Sequence, residues 1–204
     1  MSDKPSSRPL RVFTIGHSNH PLESFLRLLR EHTIEVVADV RSSPHSGYAP
    51  GFNREAIEGS LRANGIEYRF LGNLLGGRPP GEEFYDGEGH VLYDELRQAS
   101  GFQAGIESVL TSIRSHRVAL LCGEEDPANC HRRLLIGRVL RTKAVEVVHI
   151  RGDGHLQTEE ELAREEEFRK TKGQMSLFGT EETEAWKSTQ SVSRKRAPPS
   201  SSKL

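Results

Sequence analysis

The segment from Cys122 to Arg132 is the most informative part of this sequence for chemistry. It contains two thiols, Cys122 and Cys130, and the second is followed directly by His131 and Arg132. A helix is predicted to begin close to Cys130, and the N–H groups and dipole at a helix N-terminus stabilise a thiolate or a bound anion. The spacing therefore predicts Cys130 as a candidate nucleophile, with His131 beside it in a substrate-binding role.

Arg132 is the residue at which the pattern departs most from local rules. The predicted helix has an apolar face formed by Leu135, Ile136, Val139 and Leu140. Counting back three and four residues puts Arg132 on that same inward side. A cation in the first turn also opposes the helix dipole. We expect Arg132 to hold an anion such as a phosphate or carboxylate through its planar guanidinium, a geometry that lysine cannot offer.

An alternation of strands and helices must position these residues. Short apolar runs predict five strands, at residues 11–15, 34–40, 66–71, 118–121 and 145–150. Helical patterns lie between them, including one at 90–115 with a break near Gly101 and one at 130–143. The alternation predicts an α/β fold, with a mostly parallel five-stranded sheet covered by helices on both faces.

The residues that follow each predicted strand form the candidate site, because α/β proteins bind ligands at the carboxyl ends of parallel strands. The candidates for acid–base or nucleophilic roles are His17, Asp39, Glu124 and Cys130. The candidates for substrate binding are Ser18, Arg41, Gly76, Gly77, Arg78, Cys122, His131 and Arg132. In this arrangement Arg41 and Arg132 hold phosphate, and His17 or Asp39 serves as general base or acid.

Several of these residues also have a purely structural interpretation. Cys122 follows two leucines and could be a small buried hydrophobe. Asp39 could pair with Arg41 or accept backbone N–H bonds. His17 could cap a helix or pack in the core, and Gly76-Gly77 could serve only to form a turn.

The spacing argues against several familiar kinds of site. Seven residues separate the two cysteines and no second close pair is present, which does not match structural zinc sites, so we expect neither a metal nor a cofactor. No phosphate-binding P-loop, dinucleotide fingerprint or Gly-x-Ser-x-Gly motif is present. Cys122 lacks an arginine six residues later, so the phosphate cradle of tyrosine-phosphatase-like thiol enzymes is missing.

Length and composition indicate the domain organisation and exclude some classes of protein. The 204 residues predict an α/β core at 10–155, a C-terminal helix at 156–173 and a disordered tail at 174–204. A formal net charge of −1 argues against a globally basic nucleic-acid-binding protein. Two cysteines cannot form a disulfide framework and no apolar stretch has the length of a membrane span, so we expect a cytoplasmic protein without membrane contact.

Four motifs in a fixed order resemble the domain-of-unknown-function family numbered 488. They are Gly16-His17-Ser18, Asp39-Val40-Arg41 with Ser43-Pro44, Leu74-Leu75-Gly76-Gly77-Arg78, and Leu121-Cys122-Gly123-Glu124 followed by Cys130-His131-Arg132. The similarity extends from about Arg11 to Arg151. The resemblance implies a compact α/β domain of a mostly bacterial or archaeal family with no established reaction. The positions that match its motifs are His17, Asp39, Arg41, Cys122, Glu124, Cys130, His131 and Arg132.

The tail contains a second motif. The pentapeptide from Gln174 through Leu177 to Phe178 is similar to the peptide with which bacterial proteins bind the sliding clamp. Its position beyond the last predicted helix suits a linear motif, although Leu177 and Phe178 could instead pack on the domain. The basic cluster Arg194-Lys195-Arg196 would add a weak, salt-sensitive attraction to nucleic acid.

Three hypotheses follow from the sequence. The first is an enzyme that binds a phosphorylated substrate, a nucleotide or nucleic acid, and is linked to DNA maintenance by the sliding clamp. The second is a non-catalytic adaptor that binds nucleic acid or the clamp. The third is a thiol enzyme that acts on a small molecule.

Overall fold

A mixed sheet forms the centre of the protein. The computed structural model describes residues 9–18, 20–170 and 186–192, and within them the sheet has six strands. The strands are β1 Arg11–Gly16, β2 Val36–Asp39, β3 Glu67–Phe70, β4 Val118–Cys122, β5 Glu146–Ile150 and β6 Leu156–Thr158. They are arranged in the order β3-β2-β4-β1-β5-β6, and every neighbouring pair is parallel except β5 and β6. The predicted α/β class with a mostly parallel sheet is confirmed.

The sixth strand differs from the prediction. Leu156–Thr158 pairs antiparallel with β5 and therefore extends the sheet into residues that the sequence assigns to the C-terminal helix at 156–173. With only three residues, the strand is too short to show a periodic pattern in the sequence. The helix that follows begins at Glu159.

Helices connect the strands and cover both faces of the sheet. Their bounds are α1 Leu22–Glu31, α2 Arg54–Ala63, α3 Gly72–Leu75, α4 Tyr93–Leu96, α5 Ser100–Ile113, α6 Arg138–Thr142 and α7 Glu159–Lys170. Short 3₁₀ turns occur at Pro50–Phe52 and Glu82–Phe84. The helix predicted at 90–115 is divided between α4 and α5, and Gly101 lies inside α5 rather than at the break.

The alternation of side chains along the strands divides the core into two layers. Phe13 and Ile15 of β1 pack with the apolar residues of α1 and α2 on one face. Val12 of the same strand packs with those of α5 and α6 on the other face. Because β1 and β4 are covered on both faces, their sequences are almost continuously apolar.

The helix predicted at 130–143 begins at Arg132 rather than at Cys130. Its first part, Arg132–Gly137, is wound as a π-helix, and it continues directly into α6. Wider winding of this kind is rare and frequently occurs at functional sites. Cys130 therefore lies just before the helix, next to the loop that follows β4.

Part of the predicted tail packs on the domain, which corrects the expectation of a tail disordered from residue 174. Nε1 of Trp186 donates to the Leu134 carbonyl, and the Ser188 amide donates to the Val91 carbonyl. Trp186 also contacts Tyr93 edge to face. The indole provides the apolar area that holds residues 186–192 in place.

Helix α7 is attached to the core through the apolar side chain of Leu162 and through ion pairs from Glu159 and Glu166 to Arg133. Leu162 is completely buried, whereas Phe168 is 68% exposed. In the part of the chain that the structure describes, no helix combines the length and apolarity that crossing a membrane requires.

Candidate functional site

A cleft of about 400 Å³ opens at the carboxyl ends of the central strands. His17 enters it from the end of β1, Arg41 from the end of β2 and Cys122 from the end of β4. The loop after α3 adds Gly77 and Arg78. The strand-end rule therefore places side chains from four parts of the sequence in one cavity.

Cys122 and His131 form a thiol–imidazole pair at this cleft. The Sγ atom of Cys122 lies 3.7 Å from Nδ1 of His131. On the other side of the ring, Nε2 lies 3.0 Å from the Val40 carbonyl, to which its N–H donates. The Val40 carbonyl thus orients the imidazole so that Nδ1 faces the thiol, the arrangement of a nucleophile, a base and a group that orients the base.

The surroundings favour the thiolate of Cys122. The S–H of Cys130 donates toward Cys122, and this contact lowers the pKa of Cys122 well below its ordinary value. Burial opposes the shift, but the adjacent His131 and Arg132 lower the pKa further. Burial alone would lower the pKa of His131, yet the Cys122 thiolate and the Val40 carbonyl outweigh it and raise that pKa. The pair is therefore stabilised as thiolate and imidazolium.

Cys130 has the opposite environment. It is 1% exposed, against 7% for Cys122, and it does not line the cleft. Burial raises the pKa of Cys130 well above its ordinary value, and the neighbouring Cys122 thiolate raises it further. The geometry therefore favours Cys122 as the nucleophile, in place of the Cys130 that the predicted helix start had suggested.

Arg132 points inward, as its place on the apolar face predicts, but its partners differ from the expected anion. The side chain is completely buried. Its Nη1 and Nη2 donate to the backbone carbonyls of Glu124 and Glu125, and its Nε donates to Oγ1 of Thr14 at 3.2 Å. Arg132 does not line the cleft, so its role here is to hold the loop that follows Cys122.

Asp39 forms a closed pair with Arg41. The carboxylate accepts from Nε of Arg41 at 2.9 Å and from Nη2 at 2.6 Å, and it is completely buried. It also accepts from the Arg41 amide and from the Tyr68 hydroxyl. With these four donors and no exposure to the cleft, Asp39 orients Arg41, which is the structural alternative that the sequence left open.

His17 lines the cleft with both ring nitrogens engaged. Its Nδ1–H donates to the Ser18 carbonyl at 2.9 Å, and its Nε2 accepts from Nη1 of Arg41 at 3.3 Å. The ring stacks on Phe52 with 4.3 Å between centroids. Burial lowers the pKa of His17, and the charge of Arg41 lowers it further. His17 is thus a side chain on the lining of the cleft whose position is fixed by its contacts and whose neutral form is favoured.

Glu124 lines the cleft beside the thiol. Partial burial of the carboxyl group raises the pKa of Glu124, and the negative charge on Cys122 raises it further. A carboxylic acid that holds its proton to higher pH can donate it to a substrate group. The predicted acid–base role of Glu124 fits this position.

The predicted glycine loop lies directly against His131. A Cβ atom on Gly77 would come 2.8 Å from Cγ of His131, so the imidazole occupies the space that a side chain would need. A Cβ on Gly76 would meet Ser42. The Arg78 amide donates to Oγ of Ser42 at 2.9 Å, which holds the exposed Arg78 at the cleft.

Ser18 lies outside the main cleft. It adopts a positive φ of 38°, and its amide donates to the Gly123 carbonyl at 2.7 Å. Its neighbours in a separate shallow groove include Arg151 and Glu125, which form an ion pair. The predicted clamp-binding residues Gln174, Leu177 and Phe178 lie outside the described part of the chain.

Some residues of the site were not predicted from the sequence. Tyr68, Phe52 and Tyr93 belong to it, and burial raises the pKa of Tyr93. Ser188 and Val192 of the C-terminal segment also line the cleft. Tyr68 lies in β3, Phe52 in a 3₁₀ turn and Tyr93 in α4, and Ser188 lies 97 residues from its partner Val91. No local pattern links these residues to the cleft, so only the fold could reveal them.

The two thiols and His131 could also bind a metal ion. Their ligand atoms all lie within 4.8 Å of one another. Sulfur and imidazole ligands suit zinc and similar soft ions, and three protein ligands leave a further position open. The seven residues between Cys122 and Cys130 conceal this cluster from a search for close cysteine pairs.

Comparison with known proteins gives one match. A protein-family model described as "Domain of unknown function DUF488" matches residues 21–139. This range includes Asp39, Arg41, the glycine loop and the segment from Cys122 to Arg132. No curated protein and no solved structure matches the chain.

Proposed function

Since this chain belongs to the DUF488 family, we propose its function from the geometry of the site. We propose that the protein is an enzyme in which the Cys122 thiolate attacks an anionic, phosphate-bearing substrate, a nucleotide or nucleic acid. The observation that carries the proposal is the chain of contacts from Cys122 through His131 to the Val40 carbonyl. It supports covalent catalysis by a nucleophile whose partner base is held in place.

The pair provides for both halves of a covalent reaction. In the first half, a bond forms between Sγ of Cys122 and the electrophilic centre of the substrate. The bond to the leaving group breaks, and that group departs with a proton from His131. In the second half, the neutral His131 accepts a proton from water, and the resulting hydroxide releases the product from the sulfur.

Positive charge at the cleft supports an anionic substrate. Arg78 is exposed on its lining, and the guanidinium of Arg41 lies beside His17. Among the residues that the structure describes, Arg78 has no ion-pair partner within 4 Å. A phosphate group can bind to such an arginine through two parallel hydrogen bonds.

A covalent adduct provides the direct test. The full-length protein is incubated with nucleotides and short 5′-phosphorylated oligonucleotides, denatured rapidly and analysed by mass spectrometry. We expect an added mass on Cys122 that is absent in Cys122→Ser. Arg78→Ala is expected to reduce its accumulation roughly tenfold, whereas Arg62→Ala, a change at an exposed arginine of α2, serves as the matched control.

The outcome also separates the alternative functions. Turnover that persists in Cys122→Ser would contradict the covalent mechanism. Nucleic acid that binds without any adduct or turnover would instead support a non-catalytic adaptor. An adduct formed only from small uncharged electrophiles would support a small-molecule thiol enzyme.

We also propose a link to DNA maintenance in the cytoplasm through the pentapeptide that ends at Phe178. The Leu177→Ala/Phe178→Ala double variant is expected to lose co-purification with the bacterial sliding clamp. Ser176→Ala changes a position that the motif does not specify and should retain it. An unchanged pull-down of the double variant would remove the link to DNA.

A further inference from the structure

Cys130 has no covalent task in the proposed mechanism, although its thiol lies beside the nucleophile. The Sγ atoms of Cys122 and Cys130 and Nδ1 of His131 lie within 4.8 Å of one another. His131 is shared almost equally, at 3.7 Å from Cys122 and 3.9 Å from Cys130. The sequence contains only these two cysteines, so each is the only intramolecular disulfide partner of the other.

We propose that the cleft contains a redox-active dithiol in which Cys122 reacts with a hydroperoxide and Cys130 then forms a disulfide with it. The proposal rests on the same Cys122 thiolate as the proposed function. It assigns that thiolate a second class of substrate, the hydroperoxides, and it identifies Cys130 as the resolving residue.

The difference in access between the two sulfurs sets the order of events. Cys122 lines the cleft, whereas Cys130 is 1% exposed and does not. An oxidant in the cleft therefore meets Cys122 first. Cys130 reaches the oxidised sulfur from the buried side of the cleft.

The first step is the reduction of the hydroperoxide. The thiolate of Cys122 attacks the terminal oxygen, so that an S–O bond forms and the O–O bond breaks. The alcohol, or water in the case of hydrogen peroxide, leaves with a proton from His131. Cys122 is now a sulfenic acid, oxidised by two electrons.

The second step forms the disulfide. His131, now neutral and 3.9 Å from Cys130, accepts the proton of that thiol. The Cys130 sulfur attacks the sulfenic sulfur, so that the S–S bond forms, the S–O bond breaks and water leaves with the proton that His131 returns. An external dithiol then supplies two electrons and two protons and restores both thiols.

The distance between the sulfurs requires only local movement. A disulfide bond is about 2.05 Å long, so the two sulfurs must approach each other within a cluster that spans at most 4.8 Å. Cys130 follows the loop after β4 and precedes the helix that begins at Arg132. Movement at the end of this loop can close the gap without displacing a strand.

Peptide mapping after oxidation tests the proposal. The full-length protein is treated with one equivalent of hydrogen peroxide, its remaining thiols are alkylated, and its peptides are mapped by mass spectrometry. We expect a Cys122–Cys130 cross-linked peptide that disappears on treatment with dithiothreitol. In Cys130→Ser, trapping of sulfenic acid by dimedone at Cys122 should increase at least several-fold, because the resolving thiol is absent.

Other products would overturn the inference. Oxidation that leads only to a disulfide between two chains, or to sulfinic acid at Cys122 in the wild type, would exclude Cys130 as the resolving residue. Zinc that copurifies with the protein in a one-to-one ratio and protects both thiols from oxidation and alkylation would assign the cluster to metal binding instead. Because the mapping uses the wild type, a poorly folded Cys130→Ser variant would not prevent the test.

The result can be separated from the outcome of the proposed function. A substrate adduct on Cys122 without any disulfide would reject this inference and leave the proposed function standing. If peroxide oxidises Cys122 no faster than it oxidises free cysteine, the reactive thiolate itself is absent and both proposals fail.

Discussion

Two thiols with the same intrinsic chemistry have different surroundings in this protein. Cys122 faces the cleft and lies within reach of His131, while Cys130 is enclosed behind it. The sequence shows both residues and the helix that follows, but it does not show which sulfur faces the cavity. His131 lies nearly as close to Cys130 as to Cys122, so the choice depends on which sulfur faces the cleft, and only the fold determines that.

For Arg132, the sequence predicts the direction of the side chain but not its hydrogen-bond partners. Its inward direction follows from the apolar face of the helix, and the structure agrees. Its partners could not be predicted, because a buried guanidinium can be satisfied by a ligand or by backbone carbonyls. The carbonyls of Glu124 and Glu125 take that role here.

The Arg132 contacts predict a change in stability. Arg132→Met removes the two N–H donors that bind the backbone carbonyls of Glu124 and Glu125. These carbonyls then lose their hydrogen bonds to the side chain, and we expect the free energy of unfolding to fall by about 3 kcal/mol. Urea denaturation measures this change. Arg27→Met, at an exposed arginine of α1, should change it by no more than about 0.5 kcal/mol. Equal stability of the two variants would show that Arg132 does not hold the loop.

At the scale of elements, the strands were the most predictable part of the fold. β1, β2 and β4 are buried on both faces, and burial of this kind requires the apolar runs that the sequence shows. β6 has three residues and is held by its antiparallel pairing with β5, so its own residues give little signal. The π-helical segment Arg132–Gly137 could not be predicted either. Over six residues, the apolar positions of a π-helix and of an α-helix are too similar to distinguish in the sequence.

The loop after α3 matters because it lies against the base. Gly77→Ala would bring a methyl group to 2.8 Å from Cγ and 2.9 Å from Nδ1 of His131. The ring must then move, and we expect alkylation of Cys122 by iodoacetamide to slow roughly ten- to a hundredfold. Gly87→Ala is the matched control, since nothing lies within 4 Å of a Cβ at that position. An unaltered rate in Gly77→Ala would show that the position of His131 is not critical.

At the scale of the whole molecule, the cleft is assembled from parts that are distant in sequence. The sheet brings the ends of β1, β2 and β4 together, and residues 186–192 return to close one side through Ser188 and Val192. The strand-end rule predicted the first contribution. The second could not be predicted, because Trp186 anchors the segment to Leu134 and Tyr93 by contacts that no local pattern records.

A buried network attaches the last helix to this framework. Arg133 pairs with Glu159 and Glu166 of α7, each at 2.8 Å. Glu159 also accepts from His149 of β5 at 3.2 Å, and His149 contacts Thr14 of β1. Oγ1 of Thr14 accepts in turn from Nε of Arg132. A continuous series of side-chain contacts therefore connects α7 to the loop that follows Cys122.

The pH dependence of alkylation at each cysteine tests the central claim most directly. Because the pKa of Cys122 is lowered, its rate with iodoacetamide should stay high to lower pH than the rate of a model thiol does. Cys130, with a raised pKa and 1% exposure, should remain unmodified until the protein unfolds. In His131→Gln the acid limb for Cys122 should move to higher pH. Alkylation of Cys122 at neutral pH no faster than that of a free model thiol would contradict the account.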